Sequence, residues 1–215
     1  SQGEVEANLA REMEKSFRDM LQGSLDAARQ VKKKKVTPYF EGNWKGLRRA
    51  EKKDLIASPD TAIDNKTLKE LALKITDLPS DKKFFNKTFR LFEDRRKMAM
   101  EERADWAMGE LLAYASLMNE GFPVRFTGQD VERGTFSHRH AVLHDQNREV
   151  WDQGTYVPLC HLSNDQADFS VVDSILNEEA VLAYEYGYAS SFPDRLVIWE
   201  AQFGDFANGA QVVID

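Results

Sequence analysis

The sequence predicts an α/β chain: a helical N-terminal arm over residues 1–103, then part of a parallel sheet over residues 104–215. Three observations predict it. Residues 1–100 carry 23 Lys+Arg against 16 Asp+Glu and residues 101–215 carry 6 against 20, so net charge swings from +7 to −14. Such a break marks a change of structural unit. The apolar period then changes near residue 120, from three- and four-residue steps to short β-branched runs. Finally, a strand, a helix and a strand follow one another between residues 169 and 200, the order that builds parallel sheets.

The arm opens with a charged helix from Glu4 to Val31. Leu9, Met13, Phe17, Met20, Leu21 and Leu25 form its apolar stripe, with Gly23 as a weak point. KKKKVTPYFEGNWKGL reads as an irregular connector, in which Tyr39, Phe40 and Trp44 are aromatic anchors without a core of their own. Lys32 to Lys35 read as a solvated linker, and nucleic acid is not an expected partner because most other cations alternate with anions. Asp64 or Asn65 caps a helix with Leu68, Leu71, Leu73 and Ile75 on its apolar side, ending before Pro79. Ser80 or Asp81 opens a basic helix to about Met98. Glu101 to Asn119 continue as an apolar helix with Trp106, Leu111, Leu112, Ala115 and Met118, closed by Gly121.

Pro123 to Thr127, Tyr156 to Leu162 and Phe169 to Ser174 are strand candidates, and Arg195 to Glu200 (RLVIWE) reads as the most buried strand. Between the last two, Asn177 caps a helix with Glu178 and Glu179 in its first turn, where the helix dipole favours negative charge. At 100° per residue Glu179, Ala183 and Gly187 share a stripe suited to close approach, while Glu178 and Glu185 share another that points toward solvent. Ligands of parallel sheets gather at the carboxyl ends of the strands, here GQDVERGTF, NEEAV and AQFGDF. The closing GAQVVID begins an apolar helical pattern whose face is half built, which reads as truncation.

The composition is that of a globular chain, with 12 Gly and 6 Pro. No apolar run approaches the roughly 20 residues of a membrane span, so no membrane partner is expected. The single Cys160 excludes an internal disulfide and suggests a reducing compartment. His138, His140 and His144 have an H-x-H-x-x-x-H spacing, but nothing completes a hydrolytic metal site, and no metal ligand is assigned. The favoured reading is a cationic loop with Arg133 and Arg139, aimed at an anion. Phe203 and Phe206, three apart past a strand end, enter the core or form a stacking platform for a flat heterocycle. Phosphate-loop and nucleophile-elbow motifs are absent.

Taken together, GQDVERGTFSHRHAVLHDQ, YVPLCHL, DSILNEEAVLAYEYGYA and WEAQFGDFANGAQVVID resemble the decarboxylating first component of 2-oxoglutarate dehydrogenase complexes, a thiamine-diphosphate family with a transketolase-like fold. The resemblance covers roughly residues 104–215, the first part of a pyrimidine-binding domain. NKTLKELALKITDLP is similar to the family's inter-domain linker, and the first sixty residues match loosely. It implies oxidative decarboxylation of 2-oxoglutarate in the tricarboxylic acid cycle, with succinyl transfer to a lipoyl-bearing succinyltransferase component. It also implies homodimerisation through this domain and a location in the bacterial cytoplasm, or in the mitochondrial matrix of a eukaryote.

The same resemblance implies a glutamate hydrogen-bonded to the cofactor's aminopyrimidine, eight residues before the helix glycine, which selects Glu179 ahead of Gly187. Glu178 takes its place if the helix starts one residue differently. Phe203 and Phe206 match positions that stack on the pyrimidine. His138 and His140, with Arg133 beside them, match a loop lining the substrate channel, where imidazole holds the distal carboxylate or moves protons. The family's diphosphate- and magnesium-binding domain is absent from this chain, so the expectation is half a site: no decarboxylation by the chain alone and at best weak cofactor affinity. A 2-oxoadipate paralogue and a non-catalytic interaction module are the alternatives.

Overall fold

The computed structural model describes residues 8–31, 41–147 and 154–214. The lysine run 32–35 and the anchors Tyr39 and Phe40 lie outside them. The chain divides into two compact units, residues 1–41 and 42–215.

The first unit contains α1 (Leu9–Gln30), capped at its C-terminal end by the Val31 N–H on the Ala28 carbonyl. Its whole apolar stripe is exposed and no residue of it is buried.

In the second unit the connector forms turns and a short α2 (Lys52–Ile56), with Arg48 paired to Asp54. Trp44 docks on this unit through its Nε1–H, which donates to the Ser190 carbonyl at 2.7 Å. Helix α3 (Asn65–Ile75) is capped as expected, Asp64 Oδ1 accepting the Thr67 N–H at 2.9 Å. Helix α4 (Asn86–Met100) starts five residues later than the sequence suggests. Residues before it are tied to a distant loop, Lys83 N–H donating to Asp145 Oδ1 and the Lys83 carbonyl accepting from Gln146 N–H, and Phe84 is buried beside Phe92 and Leu143. Those bonds hold the segment outside any helix.

The helix expected from Glu101 begins only at α5 (Trp106–Asn119), because Asp105 caps it by accepting the Met108 N–H at 2.7 Å. Glu102 takes a left-handed φ of 55° in the break. Trp106 therefore stands at the helix start, 96% exposed rather than in the core.

The sheet has three parallel strands, β1 (Val124–Gly128), β4 (Phe169–Asp173) and β5 (Leu196–Glu200), in the order β4-β1-β5. Phe126 is level with Val171 on one side and Ile198 on the other. The parallel α/β expectation holds. The central, most buried strand is nevertheless β1, and β5 is a half-exposed edge. The expected strand Tyr156–Leu162 is instead a two-residue strand β3 (Thr155–Tyr156), antiparallel to β2 (Leu143–His144), followed by a 3-10 turn at Pro158–His161. Pro158 fixes φ and has no N–H for a ladder.

Alternation along β1 sorts its two faces. Phe126 meets Tyr114 of α5 edge-on at 5.7 Å, and Tyr114 also stacks on Phe169 at 6.2 Å. Arg125 and Thr127 face the other way and bond Glu185 of α6 (Glu178–Ser191). The core joins Leu71, Ile75, Met108, Leu111, Ala115 and Met118 to Val124 and Phe126. Each such large side chain contributes roughly 1.5–3 kcal/mol. Helices α3 to α5 thus share one core with the sheet. The change of charge near residue 100 marks a change of surface, and no gap in packing falls at the expected 103/104 boundary. A short α7 (Gln211–Ile214) carries exposed Val212, Val213 and Ile214.

Candidate functional site

Two loops meet beyond the carboxyl ends of the strands. The loop after β1 brings Thr135, Phe136 and His138, and the loop after β5 brings Glu200, Phe203 and Phe206, around a cavity of about 210 Å³. Phe136 and Phe203 meet edge to face at 5.8 Å, and Phe136 lies 6.1 Å from the His138 ring. Gln202 Nε2 donates to Thr135 Oγ1 at 2.8 Å, joining the loops. The buried Asp205 carboxylate accepts the Gln202 N–H at 2.8 Å, and the Asp205 carbonyl accepts the Ala210 N–H at 3.1 Å, which shapes the second loop. Phe203 and Phe206 do not enter the core: both are exposed on the cavity side of this turn.

His138 has a close seat. A side chain on Gly134 would place its Cβ 2.5 Å from His138 Cε1, so glycine there lets the imidazole lie against backbone. Its Nδ1 is buried without a hydrogen-bond partner among the described residues.

The structure separates the two expected histidines. His140 lines a different hollow, of about 360 Å³, with Arg133, Glu132, His144 and Asp173. Burial, followed by the charges of Arg95 and Arg133, pushes its imidazole below the ordinary histidine value. The cationic loop expected from Arg133 and Arg139 is corrected as well. Arg133 is engaged by Asp130 and by Ser137 Oγ. Arg139 is 1% exposed and lies between Glu110 of α5 and Glu200 at the end of β5, with Nε to Glu110 Oε1 at 2.5 Å and Nη1 to Glu200 Oε1 at 3.1 Å. Nη1 also donates to the Val131 carbonyl at 3.0 Å, and the guanidinium stands 4.4 Å from the centre of the Phe126 ring. Burial works against that charge, but the hydrogen bonds that Arg139 donates to Glu110 and Glu200 outweigh it and hold the group above its usual value. Both guanidinium groups are thus spent on the protein's own carboxylates.

The glutamates exchange the places expected of them. Asn177 caps α6 through the Ala180 N–H at 2.9 Å, so the helix starts where the sequence suggests. Its inward face is Val181 and Glu185, and the stripe Glu179, Ala183, Gly187 is exposed, with nothing near Gly187. Glu178 is half buried against Gly209, three residues past Phe206; a Cβ at Gly209 would lie 2.8 Å from Glu178 Oε2. The carboxylate that reaches the aromatic loop is therefore Glu178. Glu185, expected on the solvent stripe, is 4% exposed and forms two 2.8 Å hydrogen bonds with Arg125.

Sequence reasoning passes over Glu110, Glu200 and the inward role of Arg139. Glu200 alone carried a local signal, an acidic residue ending a strand. The remaining histidines are used elsewhere: His161 Nδ1 lies 2.8 Å from the Val157 carbonyl with its ring stacked on Tyr156, and His144 Nε2 is 3.9 Å from Glu132. Among the described residues no group of three His, Cys, Asp or Glu is placed to hold a metal ion, and no helix is long and apolar enough to cross a membrane.

The sequence is similar to several known proteins. A 2-oxoglutarate dehydrogenase E1 component of Cupriavidus necator is 58% identical over 157 residues, 73% of this chain and 16% of that protein. Those of Brucella ovis and Brucella abortus are 48% identical over 205 residues, 94% of this chain and 20% of theirs. The chain thus spans a fifth or less of the length of these curated relatives. The family described as "Transketolase, pyrimidine binding domain" matches residues 102–215, which hold α5, the parallel sheet, both cavity loops and Glu178. The chain belongs to the transketolase pyrimidine-binding domain family.

Proposed function

We propose that this chain is part of a 2-oxoglutarate dehydrogenase first component and that its cavity receives the aminopyrimidine of thiamine diphosphate. The observation that carries the reading is the convergence of Phe203, Phe206 and His138 on one cavity, with Glu178 against the same loop. These residues fit the group: aromatic walls for a flat ring, an imidazole at the same cavity and a carboxylate against the aromatic loop.

Thiamine diphosphate, when bound, supplies an acidic thiazolium carbon and an electron sink for loss of carbon dioxide from a 2-oxo acid. The chain's part is local. Glu178 offers a carboxylate to a ring nitrogen. Phe203 and Phe206 keep water from the ring face. His138, rather than His140, presents imidazole to the same cavity, to hold the substrate carboxylate or to move a proton. The diphosphate and its magnesium would be held by segments beyond this chain. A second copy covering the exposed Ile175, Tyr184, Tyr186 and Val212 belongs to the same proposal, as do the lipoyl-bearing partner and a bacterial cytoplasmic setting.

The test compares Glu178→Gln with Glu179→Gln in the intact enzyme. Glu178→Gln is expected to lower kcat for 2-oxoglutarate by roughly 10²–10⁴-fold, the range for a lost acid–base group, and Glu179→Gln to stay within about twofold. A full effect at Glu179 with none at Glu178 overturns the assignment.

A further inference from the structure

The segment that carries His138 is held from a distance by a buried arginine. Arg95, in the third turn of α4, is 0% exposed, and its Nη2 donates to the carbonyls of both His138 and Arg139 at 2.7 Å. Its Nε and Nη1 are also buried and have no hydrogen-bond partner among the described residues. The guanidinium lies 4.9 Å from the centre of the Phe92 ring. Burial lowers its pKa to about 10, against the opposing charges of Asp105 and Glu110, so it stays a cation at neutral pH. Core packing alone would be better served by an apolar residue than by a cation with two orphaned N–H groups.

The carbonyls it grips lie in an unusual stretch of backbone. Ser137 and His140, neither of them glycine, take left-handed φ values of 54° and 47°. They bracket the peptide units of His138 and Arg139, the two that Arg95 binds. From the other side, the Arg139 and His140 N–H groups both donate to the Arg133 carbonyl, at 2.9 and 3.0 Å. Strained backbone of this kind persists only where its surroundings over-determine it.

We propose that Arg95 is a positioning residue: by binding the carbonyls of His138 and Arg139 it holds the Ser137–His140 turn and so directs the His138 imidazole into the cavity beside Phe203 and Phe206. A residue of the helical half of the chain would then set the geometry of a site built from the sheet half. The functional consequence rests on the proposed reading of that cavity, but the geometry does not.

The experiment reads the geometry first. In the labelled 215-residue chain, the nuclear Overhauser contact between His138 Hε1 and Gly134 Hα reports the seated imidazole. It is expected to vanish in Arg95→Met and to remain in Arg95→Lys, which keeps donors for both carbonyls. Its persistence in Arg95→Met overturns the proposal. Should Arg95→Met not fold, Ser137→Gly and His140→Gly are added, since glycine takes these φ values freely. Recovery of fold and contact in that variant supports the proposal, and continued failure to fold overturns it by giving Arg95 a role in core packing. In the intact enzyme, Arg95→Met is expected to lower kcat by roughly 10²-fold, as misplacement by about an ångström does, while thiamine-diphosphate affinity stays within about twofold. A lost contact with unchanged kcat supports the positioning and counts against the role given to His138.

Discussion

Replacing Arg139 with Met tests the charge cluster behind the cavity. The guanidinium is 1% exposed and serves two carboxylates, each 26% exposed, besides the Val131 carbonyl. Met fills a similar volume but leaves Glu110 and Glu200 facing one another across an apolar side chain. Removing one partner of a buried ion pair costs about 3–5 kcal/mol. Here two acceptors are stranded, but their partial exposure lets water reach them, so about 3–5 kcal/mol is expected in total rather than twice that. Against a usual domain stability of roughly 5–15 kcal/mol this is a large loss. Urea unfolding followed by circular dichroism at pH 7 measures it. Adding Glu110→Gln and Glu200→Gln removes the stranded charges and should restore most of the loss at pH 7. A cost of Arg139→Met below about 1 kcal/mol, the range of an exposed pair, would refute the account. So would the absence of any recovery in the triple variant.

Three further outcomes follow from the same geometry. Gly209→Ala puts a methyl group 2.8 Å from Glu178 Oε2, the free end of a side chain; thermal stability should change by less than about 1 kcal/mol, while calorimetric titration of the intact enzyme shows weakened thiamine-diphosphate binding. His140 has a folded pKa below its ordinary 6.5, so the unfolded chain takes up the proton first and stability falls as pH drops through that region. His140→Asn, which tolerates the left-handed backbone, should flatten the fall in melting temperature between about pH 7 and 5.5. Leu111→Ala, at a core position 2% exposed, should cost about 2–5 kcal/mol by urea unfolding.

How far the sequence carries depends on how far apart the interacting groups lie. The caps of α3 and α6 were legible because Asp64 and Asn177 each bond a backbone N–H three residues on. The strands β1, β4 and β5 were legible as short apolar runs, and the aromatic pair past β5 as a strand-end feature. Which strand is central was not, because the apolarity of a run does not say how many neighbours it has. The Glu178 and Glu179 question turns on 100° of rotation about the α6 axis, decided by Val181 and Glu185 packing inward and by the return of residues 201–210 over the helix start. Nothing next to them in sequence carries that information.

The arginines show the limit most clearly. Arg95 sits in a stretch that reads as a basic helix and Arg139 in one that reads as an anion-directed loop, yet their partners lie 43 and 44 residues away for one and 29 and 61 for the other. The sequence by itself determined the helices, the strand–helix–strand order, the parallel sheet and the family resemblance, since these rest on neighbours within a few residues or on whole motifs. Tertiary structure alone decided that His138 and His140 part company, that Glu178 meets the aromatic loop, and that two buried guanidiniums hold the cavity wall. A long side chain stays buried and charged only where distant elements converge to offer it acceptors, and that convergence belongs to the packed fold.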